Sequence, residues 1–282
     1  IAFPGHFMVK VRLKRGALVL DPFGGGAPQS EPERRERLDQ ALPAGRGGRA
    51  ELESYLEPAT PREIVARVLR NLKAIYLQSR ALEDALAVMN RMLLVVPESA
   101  EELRDRGLVY ARLDCFRPAA ADLQNYLRRR PDAPDAGEIH YSLGLLLAEA
   151  QRNEEAEVEL RRAAERLPRP RVRYNHALAL QKLGRIDEAE KGLLAARAAA
   201  PEDPDVLHAL VVIYAQQGKW EQALPHARAL VELSPGEGPR ALLLRVEEER
   251  ARRDAGPPPG SGEPPARAGR GGRDRRGGGA RA

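Results

Sequence analysis

The chain's shortages narrow its chemistry first. It has one cysteine, Cys115, in 282 residues, which excludes an intrachain disulfide and makes reducing, cytoplasmic conditions the default expectation. Cys115 falls between two predicted helices, where a loop-facing thiol is expected rather than a nucleophile. No window approaches about eighteen uninterrupted apolar residues, so these residues hold no helical membrane span. His140, His176 and His226 are scattered, with no partner at metal-ligand spacing, and no metal is expected. Gly24-Gly25-Gly26 follows an apolar run but lacks the Lys-Ser or Lys-Thr pair of a phosphate loop, and no cofactor is expected.

Cationic excess is also scarce once the end of the chain is set aside. Residues 255–282 hold nine Gly, five Pro and six Arg, and carry +4 of the chain's formal +5. The remainder is close to neutral, with both signs interspersed over what reads as a solvated helical surface. With no apolar residue larger than Ala, this tail cannot bury enough surface to offset its ordering entropy, and disorder is expected. Arg270-Gly271-Gly272 and Arg276-Gly277-Gly278 resemble RNA-binding arginine-glycine segments. Two copies without an interleaved aromatic are weak evidence, and a coding bias toward Arg, Gly, Ala and Pro explains them equally. RNA binding by the tail is therefore not expected.

Near the start stands PGHFMVKVRLKRGALVLDPFGGG. Phe7 to Leu13 alternates apolar and basic residues, Ala17 to Leu20 is apolar, and Lys14-Arg15-Gly16 supplies turn chemistry, so two short antiparallel strands are expected. His6 would open one strand and Asp21 close the other, on the same side of the hairpin, where a carboxylate orients an imidazole. The plainer alternative leaves His6 as a strand cap and Asp21 as an acceptor for turn amides. Pro4-Gly5-His6-Phe7, the spacing to Asp21-Pro22 and the three glycines resemble the closing part of a transglutaminase-like domain, specifically the SirB family. LEPATPREIVARVLRNLKAIY, RDRGLVYARL and AAADLQNYLRRRPDAPDA resemble that family's helical continuation, so the likeness covers roughly residues 3 to 136. The resemblance implies His6 as base and Asp21 as its orienter, beside a Cys nucleophile. No Cys precedes them here, so the triad is incomplete and activity of this chain is not expected. Because the sequence begins at Ile1 and not Met, a fragment is expected, whose upstream part, with any nucleophile, is absent. The alternative function is accordingly a fragment of a cysteine-dependent hydrolase or acyltransferase.

Farther on, Ala recurs at 85, 119, 156, 189 and 223, and each is followed twelve residues later by Pro97, Pro131, Pro168, Pro201 or Pro235. A large residue, Tyr76, Tyr110, Leu147, Leu180 or Tyr214, precedes each Ala by nine. This resembles five tetratricopeptide repeats. Small Ala admits a close helix pair, the large residue fills the space beside it, and Pro stops the second helix. Thr60-Pro61-Arg62-Glu63, Ser99 with Glu102, and Asp135 with Glu138 read as helix starts. The expected pairs are 61–79 with 82–95, 100–113 with 117–129, 137–150 with 153–166, 171–183 with 187–199, and 204–217 with 220–233. Residues 239–253 would form a capping helix.

The expected fold is thus all-α: a tetratricopeptide-repeat superhelix of about five helical pairs plus a capping helix, with a short N-terminal β-hairpin and a disordered tail. The expected boundaries are 1–26 for the hairpin, 27–57 for a mobile connector with a short helix near Glu33 to Leu42, 58–254 for the repeats and 255–282 for the tail. The repeat resemblance implies a protein-interaction scaffold that takes a peptide or protein in a concave groove. Arg67, Arg70, Asn71, Arg104, Asp105, Tyr141, Arg171, Tyr174, Asn175 and His208 would line it. Arg suits carboxylates, Asn an extended backbone, and Tyr an apolar wall with a polar tip. The plainer reading makes these a hydrated surface, with Asp105 paired to a neighbouring Arg. The sequence sets neither the partner nor an oligomeric state.

Overall fold

The computed structural model describes residues 1–3, 6–41 and 49–255, with the backbone alone described at 2, 6, 7 and 49–51. The tail from 256 onward and residues 42–48 of the expected connector lie outside the described residues. The chain divides into two compact units, Ile1–Arg185 and Ile186–Ala282.

The first unit opens with strands. β1 (Ala2–Phe3) pairs antiparallel with β2 (His6–Phe7). The expected hairpin is present as β3 (Val9–Arg12) and β4 (Ala17–Asp21), in register from Val9 opposite Leu20 to Arg12 opposite Ala17. β5 (Ala27–Pro28) extends it to three strands on the β4 side, with Asp21 opposite Ala27. Two helices follow, α1 (Glu31–Ala41) and α2 (Arg49–Tyr55). Ser30 and Glu33 cap α1 reciprocally: the Ser30 amide donates to Glu33 Oε2 at 2.7 Å, and the Glu33 amide to Ser30 Oγ at 3.5 Å.

Where the sequence suggested a mobile connector with one short helix, the structure has two helices tied to the strands. Leu38 of α1 and Leu52 of α2 are buried in one cluster with Ile1, Phe3, Met8 and Val19. Scattered Leu among Gly, Pro and charge read as a linker because the apolar partners lie on distant strands. Tyr55 packs edge-on against Phe3 with ring centroids 6.4 Å apart. A fully buried Leu contributes about 2 kcal/mol, so two of them bind this segment to the sheet appreciably.

The helical pairs of the first unit are α3 (Pro61–Gln78) with α4 (Leu82–Val95), α5 (Ala100–Arg112) with α6 (Phe116–Arg129), and α7 (Ala136–Glu149) with α8 (Asn153–Arg166). α9 (Pro170–Lys182) packs on α8. Ala85, Ala119 and Ala156 are fully buried, as a close helix pair requires. Gly107 and Gly144, twelve residues before Ala119 and Ala156, bring the paired helices closer still. A Cβ on Gly144 would stand 2.7 Å from Leu160 Cγ, and one on Gly107 2.8 Å from Leu123 Cδ2.

The cap at Thr60 forms in both directions with Glu63. Ser99 accepts from the Glu102 amide, but the Glu102 carboxylate goes to Lys73 instead of returning to Ser99. Asp135 makes no side-chain cap; its carboxylate is taken by Tyr126 and Arg104. Cys115 is exposed at the start of α6.

In the second unit, α10 (Ile186–Ala199) precedes α11 (Pro204–Gln216), α12 (Trp220–Leu233) and α13 (Glu237–Asp254). α12 packs against both α11 and α13, so α13 occupies the place expected of a capping helix. Val206, Leu207, Leu210, Val211 and Ile213 of α11 are completely buried, together with Ala223 and Ala227 of α12. Asp203 caps α11 by accepting from the Asp205 and Val206 amides, a start unread in the sequence. Each second helix, α4, α6, α8, α10 and α12, stops two residues before its Pro.

Candidate functional site

Asp21 is buried at the end of β4, and its Oδ1 accepts from the Phe23 amide at 2.9 Å and the Gly24 amide at 3.1 Å. Arg37 of α1 reaches its Oδ2 at 3.1 Å. Gly24 makes this turn possible, since a Cβ there would lie 3.2 Å from Asp21 Oδ2. The backbone of His6 pairs with Phe3 in β2, while its imidazole lies outside the described residues. Two turn amides and a guanidinium thus hold both carboxylate oxygens at the strand end.

The groove residues divide into three groups. Arg67, Arg70 and Asn71 lie on α3. Arg67 is half-buried and donates from Nη2 to the Phe3 carbonyl at 3.1 Å, and burial followed by the nearby Arg70 lowers its pKa. Arg70 and Asn71 are exposed.

Arg104 belongs to an internal network. It grips Asp105 Oδ1 through Nε and Nη2 at 2.9 and 2.8 Å, and Asp135 Oδ2 through Nη1 at 2.9 Å. Lys73 of α3 donates to Glu102 at 2.8 Å and to Asp105 at 2.9 Å. Burial opposes the Lys73 charge, but hydrogen bonds to Glu102 and Asp105 outweigh it and hold the ammonium above the ordinary lysine range. Tyr126 completes the network with a 2.5 Å hydrogen bond to Asp135 Oδ1. Burial of the Asp135 carboxylate is outweighed by bonds from Tyr126 and Arg104, which lower its pKa. Beside this network, Arg106 forks onto Asp122 at 2.6 and 2.7 Å. These charges tie α3, α5, α6 and the start of α7 together.

The third group sits on α7 and α9. Asn175 Nδ2 donates to the Tyr141 hydroxyl at 2.6 Å, joining two first helices of successive repeats. The Arg171 guanidinium lies over the Tyr174 ring, 4.9 Å from its centroid. His208 is exposed on α11, in the second unit.

Sequence reasoning missed the buried carboxylates. Glu157 is buried and faces His176 at 3.2 Å, Arg185 at 3.3 Å and Arg161 at 3.6 Å. His140 is buried against Glu159, Nδ1 to Oε2 2.5 Å. A usable signal existed: a His or Lys recurs at 19 or 29 residues from a Glu, as in His140 and Glu159, His176 and Glu157, Lys73 and Glu102, and Lys219 and Glu190. Those separations bring neighbouring helices face to face. Among the described residues, no group of three or more His, Cys, Asp and Glu gathers as a metal site.

Comparison with known proteins agrees with this layout. The profile of the transglutaminase-like superfamily matches residues 1–70, and tetratricopeptide-repeat profiles match residues 72–144 and 174–238. A UPF0162 protein of Xylella fastidiosa is 40% identical over 131 residues, 46% of this chain and 47% of the relative. SirB1 of Salmonella typhimurium is 30% identical over 136 residues, and the UPF0162 protein YchA of Escherichia coli 31%; each match covers 48% of this chain and 49% of the relative. The chain thus spans about half the length of the curated relatives it matches. Among solved structures, YrrB, a TPR protein with an unusual peptide-binding site, aligns with TM-score 0.57 at 23% identity, covering 64% of this chain and 90% of that one. A structure of MamA from AMB-1 aligns with TM-score 0.56 at 25% identity, covering 61% and 93%. Over about half of its length the chain is thus similar to the SirB1 and UPF0162 proteins, and in it a segment matching the transglutaminase-like profile is followed by segments matching tetratricopeptide-repeat profiles.

Proposed function

We propose that the chain is a protein-interaction scaffold that binds an extended peptide or protein segment along the first helices of its repeats. The hydrogen bond from Asn175 to Tyr141 carries the reading. It sets an amide and a phenol from two helices side by side, and leaves Asn175 Oδ1 and a second N–H of Nδ2 for a peptide backbone. Arg171, stacked on Tyr174, extends the same polar and aromatic surface. Arg70, exposed on α3, is offered for a carboxylate. Arg104 contributes through the fold, because Asp105 and Asp135 already occupy its fork.

The carboxylate of Asp21, seated on turn amides and Arg37, agrees better with scaffolding than with catalysis by this chain. The test is affinity capture with the chain, partners identified by mass spectrometry, against a variant carrying Arg70→Ala, Tyr174→Ala and Asn175→Ala. The variant is expected to keep its circular dichroism and melting temperature and to lose the captured partners. A folded variant that captures the same set overturns the reading.

A further inference from the structure

A cleft of about 470 Å³ lies among α6, α7, α8 and the loop after α6, and none of the groove residues lines it. Its apolar part is Leu127, Leu143 and Pro131. Its polar part is Gln124, His140, Glu159 and three arginines, Arg128, Arg162 and Arg166. Leu143 is completely buried, so the floor is part of the core and rigid, whereas the three arginines are exposed at the mouth.

The charges in the cleft are unequally engaged. Glu159 is taken from two sides, by His140 at 2.5 Å and by Arg162 Nη1 at 3.0 Å. Arg128 bonds only the neutral amide of Asn125, and Arg166 makes no ion pair among the described residues. The arginines of the neighbouring inter-helix network are answered by carboxylates, Arg106 by Asp122 and Arg104 by Asp105. Here three guanidiniums share one carboxylate.

We infer that this cleft is a second binding site, specific for an acidic peptide segment in which a carboxylate side chain adjoins an aliphatic one. The carboxylate takes the forks of Arg128 and Arg166, and the aliphatic neighbour covers Pro131 and the edge of Leu127. The volume admits one or two side chains, which sets the length of the recognised motif. An apolar floor directly beneath a basic mouth favours this composite ligand over a bare anion, which would leave Pro131 and the edge of Leu127 uncovered. The site is independent of the surface on α7 and α9, so the two readings stand or fall separately.

The test is fluorescence anisotropy of the full chain with a fluorescein-labelled peptide of repeating Asp-Leu-Glu-Leu, beside its isosteric Asn-Leu-Gln-Leu counterpart. The acidic peptide is expected to bind at least tenfold more tightly than the amide peptide. Arg128→Ala with Arg166→Ala should weaken it at least tenfold, while Arg91→Ala, on the exposed side of α4, leaves it unchanged. Leu127→Ala keeps the charge and is expected to weaken binding severalfold, with folding checked by circular dichroism. Equal binding of the two peptides, or unchanged binding by the double arginine variant, overturns the site. Full displacement by inorganic phosphate at a concentration where sulfate and chloride do nothing identifies a simple phosphate site and overturns the peptide assignment.

Discussion

The repeats of the first unit and the α11–α12 pair of the second have the same backbone plan but are fastened by different chemistry. Between α3 and α8, buried or half-buried charges bridge neighbouring helices: Lys73 with Glu102 and Asp105, Arg104 with Asp135, Arg106 with Asp122, and His140 with Glu159. In α11, a run of Val and Leu side chains is completely buried, and the ionic contact from Lys219 to Glu190 lies nearer the surface. The repeat pattern therefore specifies where a helix packs without specifying how. Charge pairing demands geometry and partners, and breaking a buried pair costs more than forming it gains. Apolar packing tolerates more but makes any buried titratable group in it a weak point. His226 is one: it is buried, its Nδ1 has no hydrogen-bond partner, and it stacks on Tyr214 with centroids 5.6 Å apart.

The largest expected effect breaks the ionic side of this contrast. Lys73→Met leaves the buried Glu102 without its cation, beside an Asp105 still held by Arg104, and should destabilise the first unit by about 3 kcal/mol. Urea-dependent hydrogen exchange, read separately on peptides of α3–α6 and α11–α12, would localise the loss. Adding Glu102→Leu should recover most of it. Lys219→Met, at a pair nearer the surface, should cost the α11–α12 peptides much less, and equal losses in the two units would erase the distinction.

Acid probes the apolar side. Burial, followed by the charge of Arg197, lowers the pKa of His226 from 6.5 to about 4. The unfolded chain takes up this proton before the folded one does. The neutral ring's contribution is therefore complete above pH 6.5 and is lost as pH falls from 6.5 to about 4, with a slope of up to about 1.4 kcal/mol per pH unit. His226→Phe, which keeps the ring beside Tyr214, should remove this slope in hydrogen exchange of α12. A slope that survives the substitution assigns it to other groups.

The smallest effect concerns the turns inside the helical pairs. Arg80, Asp114 and Gln151 adopt positive φ of 58°, 55° and 59°, where Gly184 and Gly218 stand at the corresponding turns with 74° and 68°. Changing Gln151 or Arg80 to Gly should stabilise the first unit by about 0.5 kcal/mol each, while Gly218→Ala should cost the second about 1 kcal/mol. Thermal unfolding of the single variants checks both signs. A loss at Gln151→Gly would show that its side chain contributes more than its strained backbone costs.

Much of the fold was legible because its signals are local or periodic. Ala85, Ala119, Ala156, Ala189 and Ala223 are fully buried, and the expected helix limits hold to within about two residues. The N-terminal segment was less legible. Leu38 and Leu52 have no period to place them, and their partners Phe3, Met8 and Val19 lie on or between the strands that precede them in sequence. Of the candidate groove, residue types and helix faces were readable, and Asp105 does pair with the adjacent Arg104. That Arg104 also binds Asp135, across 31 residues, was not readable, because an arginine on a helix face is the same letter whether it meets a ligand or a neighbour.

By itself, the sequence determined the helical repeat: the 3.6-residue period, the small residue at each crossing and the proline after each second helix are properties of neighbouring residues, and they act before the chain has any shape. Tertiary structure decided which charges are consumed by the fold and which remain available. Arg104 and Lys73 are bound by carboxylates from adjoining helices, whereas Arg128 and Arg166 stand over an apolar floor without one. The physical reason is that ion pairing depends on separation through space, which only the packing of helices fixes.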